Sequence, residues 1–291
     1  MVETRIDRRT IGENVRMRRI DNNEAITIQK DILRELHSFC TEQGLHYSLA
    51  YGSLLGAVRH KDMIPWDDDI DVMMPRKDFE KLCSLYPRYG KKEYAAENHR
   101  TNPEIKTRLA YFTDTRTITY NIGYRKEDNV QTYGLHIDIY PVDFIPDNKI
   151  IRKIFFFRRA VLFSIVRGAS LHPEIRKGKG KKMMLHIIKT ICSLWGQDRC
   201  IDRLVLLCRK YENMVVNDKT EVSVLLEVGK PVCFSHKIME KYVEYDYAKK
   251  KYIGVEDYDT CLKLWYGDYM KLPPESERVP HKYYGTEYYW K

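Results

Sequence analysis

The chain has 291 residues, of which 43% are hydrophobic and 31% charged, and its formal net charge is +9. A chain of this length can bury a core without cross-links. Its seven cysteines form neither a C-x-x-C pair nor a regular framework, which excludes a disulfide scaffold and favours buried thiols in a reducing compartment. The first residues do not form a charged and then apolar leader, so we expect a cytoplasmic protein.

The excess of positive charge indicates an anionic partner, and nucleic acid is one class to consider. However, the basic residues do not interleave with aromatic residues as they do in nucleic-acid-binding modules. We therefore predict no nucleic-acid partner. An anionic nucleotide, a phosphorylated glycan or an anionic membrane surface fits the charge at least as well.

The first helix follows a charged arm. Residues 1–19 show no hydrophobic period and are expected to be loosely ordered. From residue 23 to residue 43, apolar side chains recur at helical spacing, namely Ile28, Ile32, Leu36, Phe39 and Cys40. This pattern predicts a helix that is capped by Asn22 or Asn23 and ended by Gly44.

A strand and a short helix come next, joined by Gly52 and Ser53. Residues 45–50 alternate as a strand does, and residues 54–58 are expected to be helical. Backbone N–H groups at a helix start attract anions, and glycine lets a phosphate approach the backbone closely. Gly52 and Ser53 are therefore candidate phosphate-binding residues.

Four aspartates, Asp67, Asp68, Asp69 and Asp71, lead into an apolar strand. The alternation over residues 69–74 places Asp69 and Asp71 on one face, and Asp67 joins them if the strand starts early. Carboxylates this close repel each other unless a cation lies between them, and hard oxygen ligands favour Mg²⁺ or Mn²⁺. A solvated acidic loop is the alternative.

The order of these elements resembles a known superfamily. A strand, a Gly-Ser turn, a helix and a strand with Asp-x-Asp are typical of nucleotidyltransferases, in which the Gly-Ser holds nucleotide phosphates and the aspartates hold metals. The wording of residues 51–82, YGSLLGAVRHKDMIPWDDDIDVMMPRKDFEKL, resembles the LicD family, whose relatives include the fukutin-related proteins. Residues 134–143 (GLHIDIYPVD) and 266–278 (YGDYMKLPPESER) resemble later LicD segments.

Further along, the pattern predicts a helix over residues 77–86 and strands over residues 93–97, 106–112 and 116–122. Residues 134–140 alternate again, with Leu135, Ile137 and Ile139 on one face and His136, Asp138 and Tyr140 on the other.

Asp138 is the candidate third carboxylate. In nucleotidyltransferases such a residue lies on a strand beside the aspartate pair, so the resemblance implies that Asp138 shares the metals or takes a proton from an attacking hydroxyl. The alternative is an Asp138 paired with an arginine. Asp143 is the weaker candidate, because it follows Pro141, where we expect the strand to have ended.

Residues 149–167 combine basic and apolar residues, but no run reaches the roughly 18 apolar residues that a spanning helix needs. On a helical wheel one sector of about a third is basic, and the opposite face is apolar. The basic sector holds Lys149, Arg152, Lys153, Arg159 and Arg167. Such a helix either lies in a membrane interface or packs on the core with its basic face solvated. Residues 176–182 add five positive charges, and residues 183–195 and 198–216 read as helices.

The LicD resemblance implies a fold class and an organisation. We expect an α/β (α+β) protein with a nucleotidyltransferase-like mixed sheet flanked by helices. The catalytic core should cover residues 20–145, after the arm of residues 1–19. A mostly helical part, residues 146–291, should close the active site.

The resemblance also implies a function. LicD proteins transfer phosphocholine or a related polyol phosphate from a CDP-activated donor to a glycan hydroxyl, and CMP leaves. The implied partners are CDP-choline or another CDP-alcohol and a glycan acceptor, lipid-linked at the inner face of the cell membrane. Teichoic acid and lipopolysaccharide are glycans of this kind, and peripheral contact with an anionic membrane would suit such an acceptor.

The implied site has three groups of residues. The catalytic residues are Asp69, Asp71 and Asp138, and the ligands of Mg²⁺ or Mn²⁺ are Asp67, Asp69, Asp71 and Asp138. Charge partners for donor phosphate are Arg59, Lys61 and Arg76, together with Gly52 and Ser53. Trp66 and Tyr266 offer aromatic faces to a choline cation, as do Tyr283 and Tyr284. Tyr266 and Arg278 belong to the active-site wall.

Two other functions stay open at this point. A nucleotidyltransferase that makes the CDP-alcohol would use the same Gly-Ser and Asp-x-Asp residues but would release pyrophosphate. A relative without activity would bind nucleotide and not turn it over. The presence of all the acidic motif residues argues against the second of these.

Overall fold

The computed structural model describes residues 17–102, 105, 109–121, 130–131, 133–170, 179–280 and 286–291. Several features expected from the sequence lie partly or wholly outside these residues. They are most of the arm of residues 1–19, the start of the strand expected at 106–112, Ile122, residues 176–178 of the basic loop, Tyr283 and Tyr284.

The helix expected at residues 23–43 is present as α1 (Asn22–Gln43). Its cap is Asp21 and not Asn22 or Asn23, because a side-chain oxygen of Asp21 accepts a hydrogen bond from the Glu24 backbone N–H and Asn22 is already helical. Gly44 ends the helix as expected, in the left-handed region at φ 63°.

The other elements follow in chain order. The strands are β1 (Arg18–Ile20), β2 (Ser48–Leu49), β3 (Asp71–Pro75), β4 (Tyr94–Glu97), β5 (Ala110–Asp114), β6 (Thr117–Asn121), β7 (Val130–Gln131), β8 (His136–Phe144), β9 (Glu221–Ser223), β10 (Cys233–Ser235), β11 (Tyr242–Tyr247), β12 (Lys250–Val255) and β13 (Thr286–Trp290). The helices after α1 are α2 (Tyr51–Arg59), α3 (Arg76–Tyr89), α4 (Lys149–Ser170), α5 (Lys179–Trp195), α6 (Gln197–Cys208) and α7 (Tyr258–Tyr266).

These bounds correct the motif region in two places. The short helix begins at Tyr51, directly after the extended residue Ala50, so Gly52 and Ser53 lie in its first turn and not before it. The strand expected at residues 69–74 begins at Asp71, which leaves Asp69 in the preceding loop.

The strand that carries Asp138 is longer than expected, and Pro141 does not end it. The Asp138 N–H donates to the Ile70 carbonyl beside β3, so alternation turns the nitrogen of Pro141 to the opposite edge. On that edge β5 pairs only as far as Ile139, and β9 begins to pair at Asp143. The missing N–H of Pro141 therefore faces a gap between two strands.

Among the described residues, a mixed sheet has the strand order β10-β9-β8-β3-β2, and β5 joins β8 and β4 joins β5. Strands β3 and β8 are parallel and the other pairs are antiparallel. A second sheet has the order β1-β13-β6-β7. The mixed α/β fold class, with a mixed sheet flanked by helices, is confirmed.

The part of the chain after residue 145 is not separate from the core sheets. Helices α4 and α6 build a second apolar cluster there, with Phe155, Phe163, Ile201 and Leu204 among its members. However, β9 pairs with β8, and β13 lies between β1 and β6, so both expected parts share their sheets. All seven cysteines are free thiols, as expected.

Candidate active site

Asp71 and Asp138 stand side by side at the centre of the mixed sheet. They are direct partners in the parallel register of β3 and β8, so their side chains leave the same face. The Oδ1 atom of Asp71 is buried and has no hydrogen-bond partner among the described residues. Burial raises the pKa of Asp71 well above its usual value, and the negative charges of Asp69 and Asp138 raise it further.

The loop before β3 adds three more carboxylates. One oxygen from each of Asp67, Asp68 and Asp69 lies within 4.8 Å of the others. Burial raises the pKa of Asp67 to about 8, and the charge of Asp69 adds to this shift. Asp68, which was not among the expected ligands, is thus part of the cluster.

This cluster fits a divalent cation. A buried carboxylate oxygen without a partner and several carboxylates that repel one another are both relieved by a positive charge between them. The donor set is all oxygen, which suits Mg²⁺ or Mn²⁺ better than zinc.

The Gly-Ser pair builds the acidic cluster from below. A Cβ atom on Gly52 would lie 2.4 Å from Oδ2 of Asp67, so only glycine lets this carboxylate approach α2. The Ser53 hydroxyl is buried and accepts a hydrogen bond of 2.9 Å from the Asp71 N–H. What remains for a phosphate is the start of α2, whose first N–H groups have no partner within the helix.

A tyrosine network surrounds Asp71 and Asp138. Tyr140 donates a hydrogen bond of 3.2 Å to Oδ2 of Asp138. Tyr51, in the left-handed region at φ 45°, donates one of 2.5 Å to Oε2 of Glu227. The Tyr51 ring packs against Tyr140 and Trp265, with centroids 5.2 and 4.5 Å away.

Glu227 brings a sixth carboxylate to the site from a distant loop. Its negative charge adds to the raised pKa of Asp71. The loop is held by Arg159 of α4, whose guanidinium donates to the carbonyls of Leu225, Glu227 and Gly229 at 2.8, 2.5 and 2.9 Å. Nothing in the sequence around Glu227 signals this role, whereas Tyr140 shares the predicted face of Asp138.

On another side of the cluster, Arg59 and Arg278 approach each other. Burial lowers the pKa of Arg59, and the charge of Arg278 lowers it further. Neither guanidinium is in a salt bridge with another described residue; Arg59 donates to the Tyr269 carbonyl, and Arg278 donates to the Pro273 carbonyl and lies 5.4 Å from the Trp66 ring centre. Two neighbouring cations without a carboxylate partner are suited to bind an anion.

Tyr266 connects these cations to the carboxylates. Burial raises its pKa, and the charges of Asp71, Asp67, Asp69 and Glu227 raise it further. Tyr266 in turn acts electrostatically on Arg59. Arg59, Trp66, Tyr266 and Arg278 are therefore brought together near the acidic cluster. Tyr288 of β13, which the sequence did not single out, lies there too, since Asp68, Asp138 and Asp69 help to raise its pKa.

Two expected charge partners lie elsewhere. The Arg76 guanidinium is buried in an ion pair with Asp143, in which its Nε and Nη2 atoms each lie 2.7 Å from a carboxylate oxygen. This geometry does not support Arg76 as a ligand of donor phosphate, because its donors are already used away from solvent. Lys61 is exposed and acts electrostatically on Asp246.

The raised pKa values predict how stability depends on pH. Asp67 and Asp71 keep their protons in the folded protein at pH values where the unfolded chain has released them. The unfolded state thus binds fewer protons, and these groups lower the stability as pH rises from about 4 towards 8. In chelator-treated protein we expect the melting temperature to fall across this window and Mg²⁺ to restore it most at pH 8.

The control for this prediction is Asp71→Asn, which removes one of the two titrating carboxyls. Its melting temperature, followed by circular dichroism without metal, should depend less on pH than that of the wild type. Equal slopes for the two proteins would show that Asp71 does not titrate as proposed.

Comparison with known proteins agrees with this site. Residues 44–167 match the family model described as LicD/FKTN/FKRP, nucleotidyltransferase domain, and this range includes all five clustered aspartates, Asp138 among them, except Asp71's partner loop at Glu227. The chain is similar to the lipopolysaccharide cholinephosphotransferase LicD of Haemophilus influenzae, with 26% identity over 274 residues, which cover 91% of this chain and 97% of the relative.

Two Rickettsia proteins are similar over a shorter stretch. The uncharacterized protein RP689 of Rickettsia prowazekii is 28% identical over 140 residues, 47% of this chain and 49% of its own. The uncharacterized protein RT0683 of Rickettsia typhi is 25% identical over 138 residues, 47% of this chain and 40% of its own. The family match and the similarity along nearly the whole chain together show that this protein belongs to the LicD family.

Proposed function

We propose that this protein transfers phosphocholine, or a related alcohol phosphate, from a CDP-activated donor to a hydroxyl of a glycan. The observation that carries this proposal is the pairing of Asp71 with Asp138 beside Asp67, Asp68 and Asp69, close to two arginines without carboxylate partners. The name of the Haemophilus influenzae relative supports phosphocholine as the group and a lipopolysaccharide-like acceptor.

The residues that would hold Mg²⁺ or Mn²⁺ are Asp67, Asp68, Asp69 and Asp71, with Asp138 at the edge of the set. A bound divalent cation supplies positive charge to the phosphoryl oxygens and so stabilises the negative charge that develops in the transition state.

Asp138 is the base in this proposal. Tyr140 donates to Oδ2 of Asp138 and fixes the carboxylate, and His136 Nε2 lies 3.6 Å from Oδ1. The carboxylate takes the proton of the acceptor hydroxyl as its oxygen attacks the phosphorus that carries choline. The new O–P bond forms while the bond to the bridging oxygen of the diphosphate breaks, and CMP leaves with that oxygen.

Arg59 and Arg278 hold the diphosphate of the donor. Both guanidiniums are half-buried, where a charge-assisted hydrogen bond to phosphate is stronger than in open water. Trp66 keeps Arg278 in place through its ring face. The N–H groups at the start of α2 offer a further contact for the donor phosphates.

The direct test is product analysis with a panel of donors. Incubation with CDP-choline, CDP-ribitol or CDP-glycerol, Mg²⁺ and a glycan acceptor should release CMP from at least one donor. Release of pyrophosphate from CTP and an alcohol phosphate would instead identify a nucleotidyltransferase. Binding of a donor in Mg²⁺ without any turnover would identify a relative that only binds nucleotide.

A further prediction concerns Asp138. The Asp138→Asn variant should turn over on the order of 10²-fold more slowly or worse, because the amide cannot accept the acceptor proton. Donor affinity, measured by calorimetry, should change much less. A variant with normal turnover and weakened donor binding would show that Asp138 is a binding residue and not the base.

A further inference from the structure

Helix α4 is oriented with part of its basic sector inward. Arg159 is only 3% exposed, because its guanidinium binds the carbonyls of the loop that carries Glu227. Arg152 pairs with Glu221 of β9 and also donates to the Pro146 carbonyl. These two arginines therefore hold α4 to the protein, and neither faces a membrane as the sequence pattern allowed.

The opposite side of α4 is apolar and faces outward. Ile150, Ile154, Phe157 and Val161 are 71%, 55%, 70% and 44% exposed. Their spacing of three and four residues places them in one stripe along the helix. In a helix that packs on a core, this stripe would be the buried face, so its exposure calls for a partner.

Helix α5 extends the same kind of surface. Gly168 brings α4 and α5 together, since a Cβ atom on it would lie 2.8 Å from the Ile188 side chain. Large apolar side chains of α5 remain 49–75% exposed, namely Met183, Met184, Ile187, Leu194 and Trp195. Two neighbouring helices thus present outward apolar side chains.

The charges around this surface have one sign. Neither α4 nor α5 contains an aspartate or a glutamate. Lys149, Lys153, Arg158 and Arg167 are exposed on α4, beside the apolar stripe. Within the described residues no helix is long and apolar enough to cross a membrane. An apolar stripe bordered by cations matches the boundary between acyl chains and anionic headgroups.

We propose that the outward faces of α4 and α5 dock on an anionic lipid surface. The apolar stripe enters the acyl boundary, and the bordering lysines and arginines contact the headgroups. This inference stands on the exposed side chains and does not depend on the proposed activity. It also places the active site near a lipid-linked acceptor, because Arg159 ties α4 to the loop of Glu227, which Tyr51 contacts.

The test is sedimentation of the full chain with phosphatidylcholine vesicles that contain phosphatidylglycerol. The wild type should sediment and should remain partly bound at high salt, because insertion of apolar side chains is not screened. Phe157→Gln should weaken the partition coefficient on the order of tenfold. Lys153→Gln should weaken it about fivefold, and only on anionic vesicles.

The matched control is Tyr89→Gln. Tyr89, at the end of α3, is 66% exposed, close to the 70% of Phe157, so both changes remove an exposed aromatic ring. Tyr89→Gln should sediment like the wild type, and both variants should keep the wild-type melting temperature. The proposal is overturned if the wild type stays in the supernatant at low salt, or if the two variants sediment equally. A mass by light scattering that doubles in the wild type and not in Phe157→Gln, without vesicle binding, would assign the surface to a second copy instead.

Discussion

Asp71→Asn should lower turnover by roughly 10³-fold or more while the protein still folds, because a charged oxygen ligand is worth several kcal/mol to a phosphoryl transition state. Asparagine keeps the shape of the side chain. It also removes the repulsion between Asp71 and its neighbours Asp69 and Asp138, so the melting temperature of metal-free protein should rise. Single-turnover CMP release and thermal unfolding measure the two effects.

Asp69→Asn should also remove most of the turnover, but it should raise the melting temperature less, because Asp69 is exposed at the surface of the cluster. Asp218→Asn is the control, since its side chain is 89% exposed and pairs with Lys237 away from the aspartate cluster. Near-native turnover of either Asp71→Asn or Asp69→Asn in Mg²⁺ would refute the assignment of these carboxylates.

The second large effect concerns stability. Replacing either partner of the Arg76–Asp143 pair should lower the free energy of unfolding by about 3–5 kcal/mol, because the other partner is left as a buried charge without compensation. The side chains of Arg76 and Asp143 are only 4% and 1% exposed. Urea unfolding of Arg76→Met and Asp143→Leu should show the loss as a lower midpoint with an unchanged slope.

The double variant Arg76→Met with Asp143→Leu separates an ion pair from a catalytic role. It should be more stable than either single variant, because no buried charge remains. If Arg76 acted on the donor instead, Arg76→Met would raise the KM for the donor and leave the urea midpoint in place. That result would restore the interpretation of Arg76 as a phosphate ligand.

Much of the site could be predicted from local patterns. Alternation along residues 134–140 correctly predicted which side of the strand carries Asp138, since side chains of a strand leave alternate faces. The period of the first helix and its glycine end were predicted for the same reason. The aspartate motif identified the acidic cluster, although local reasoning placed Asp69 in the strand and overlooked Asp68 as a neighbour.

Contacts between distant residues could not be predicted this way. Glu227 reaches Tyr51 across 176 positions of the chain, and Arg76 reaches Asp143 across 67. No period or turn signal encodes such pairs, because they form only when separate elements pack. The role of Pro141 likewise depends on where β5 and β9 stop and start along β8.

Helix α4 shows the division most clearly. Its sequence alone determines that one side is basic and the other apolar, since both follow from helical spacing. Which side faces the protein is decided by the tertiary structure. The loop of residues 225–229 presents carbonyl oxygens that satisfy the donors of Arg159, and this turns that part of the basic sector inward and leaves Ile150, Ile154 and Phe157 exposed.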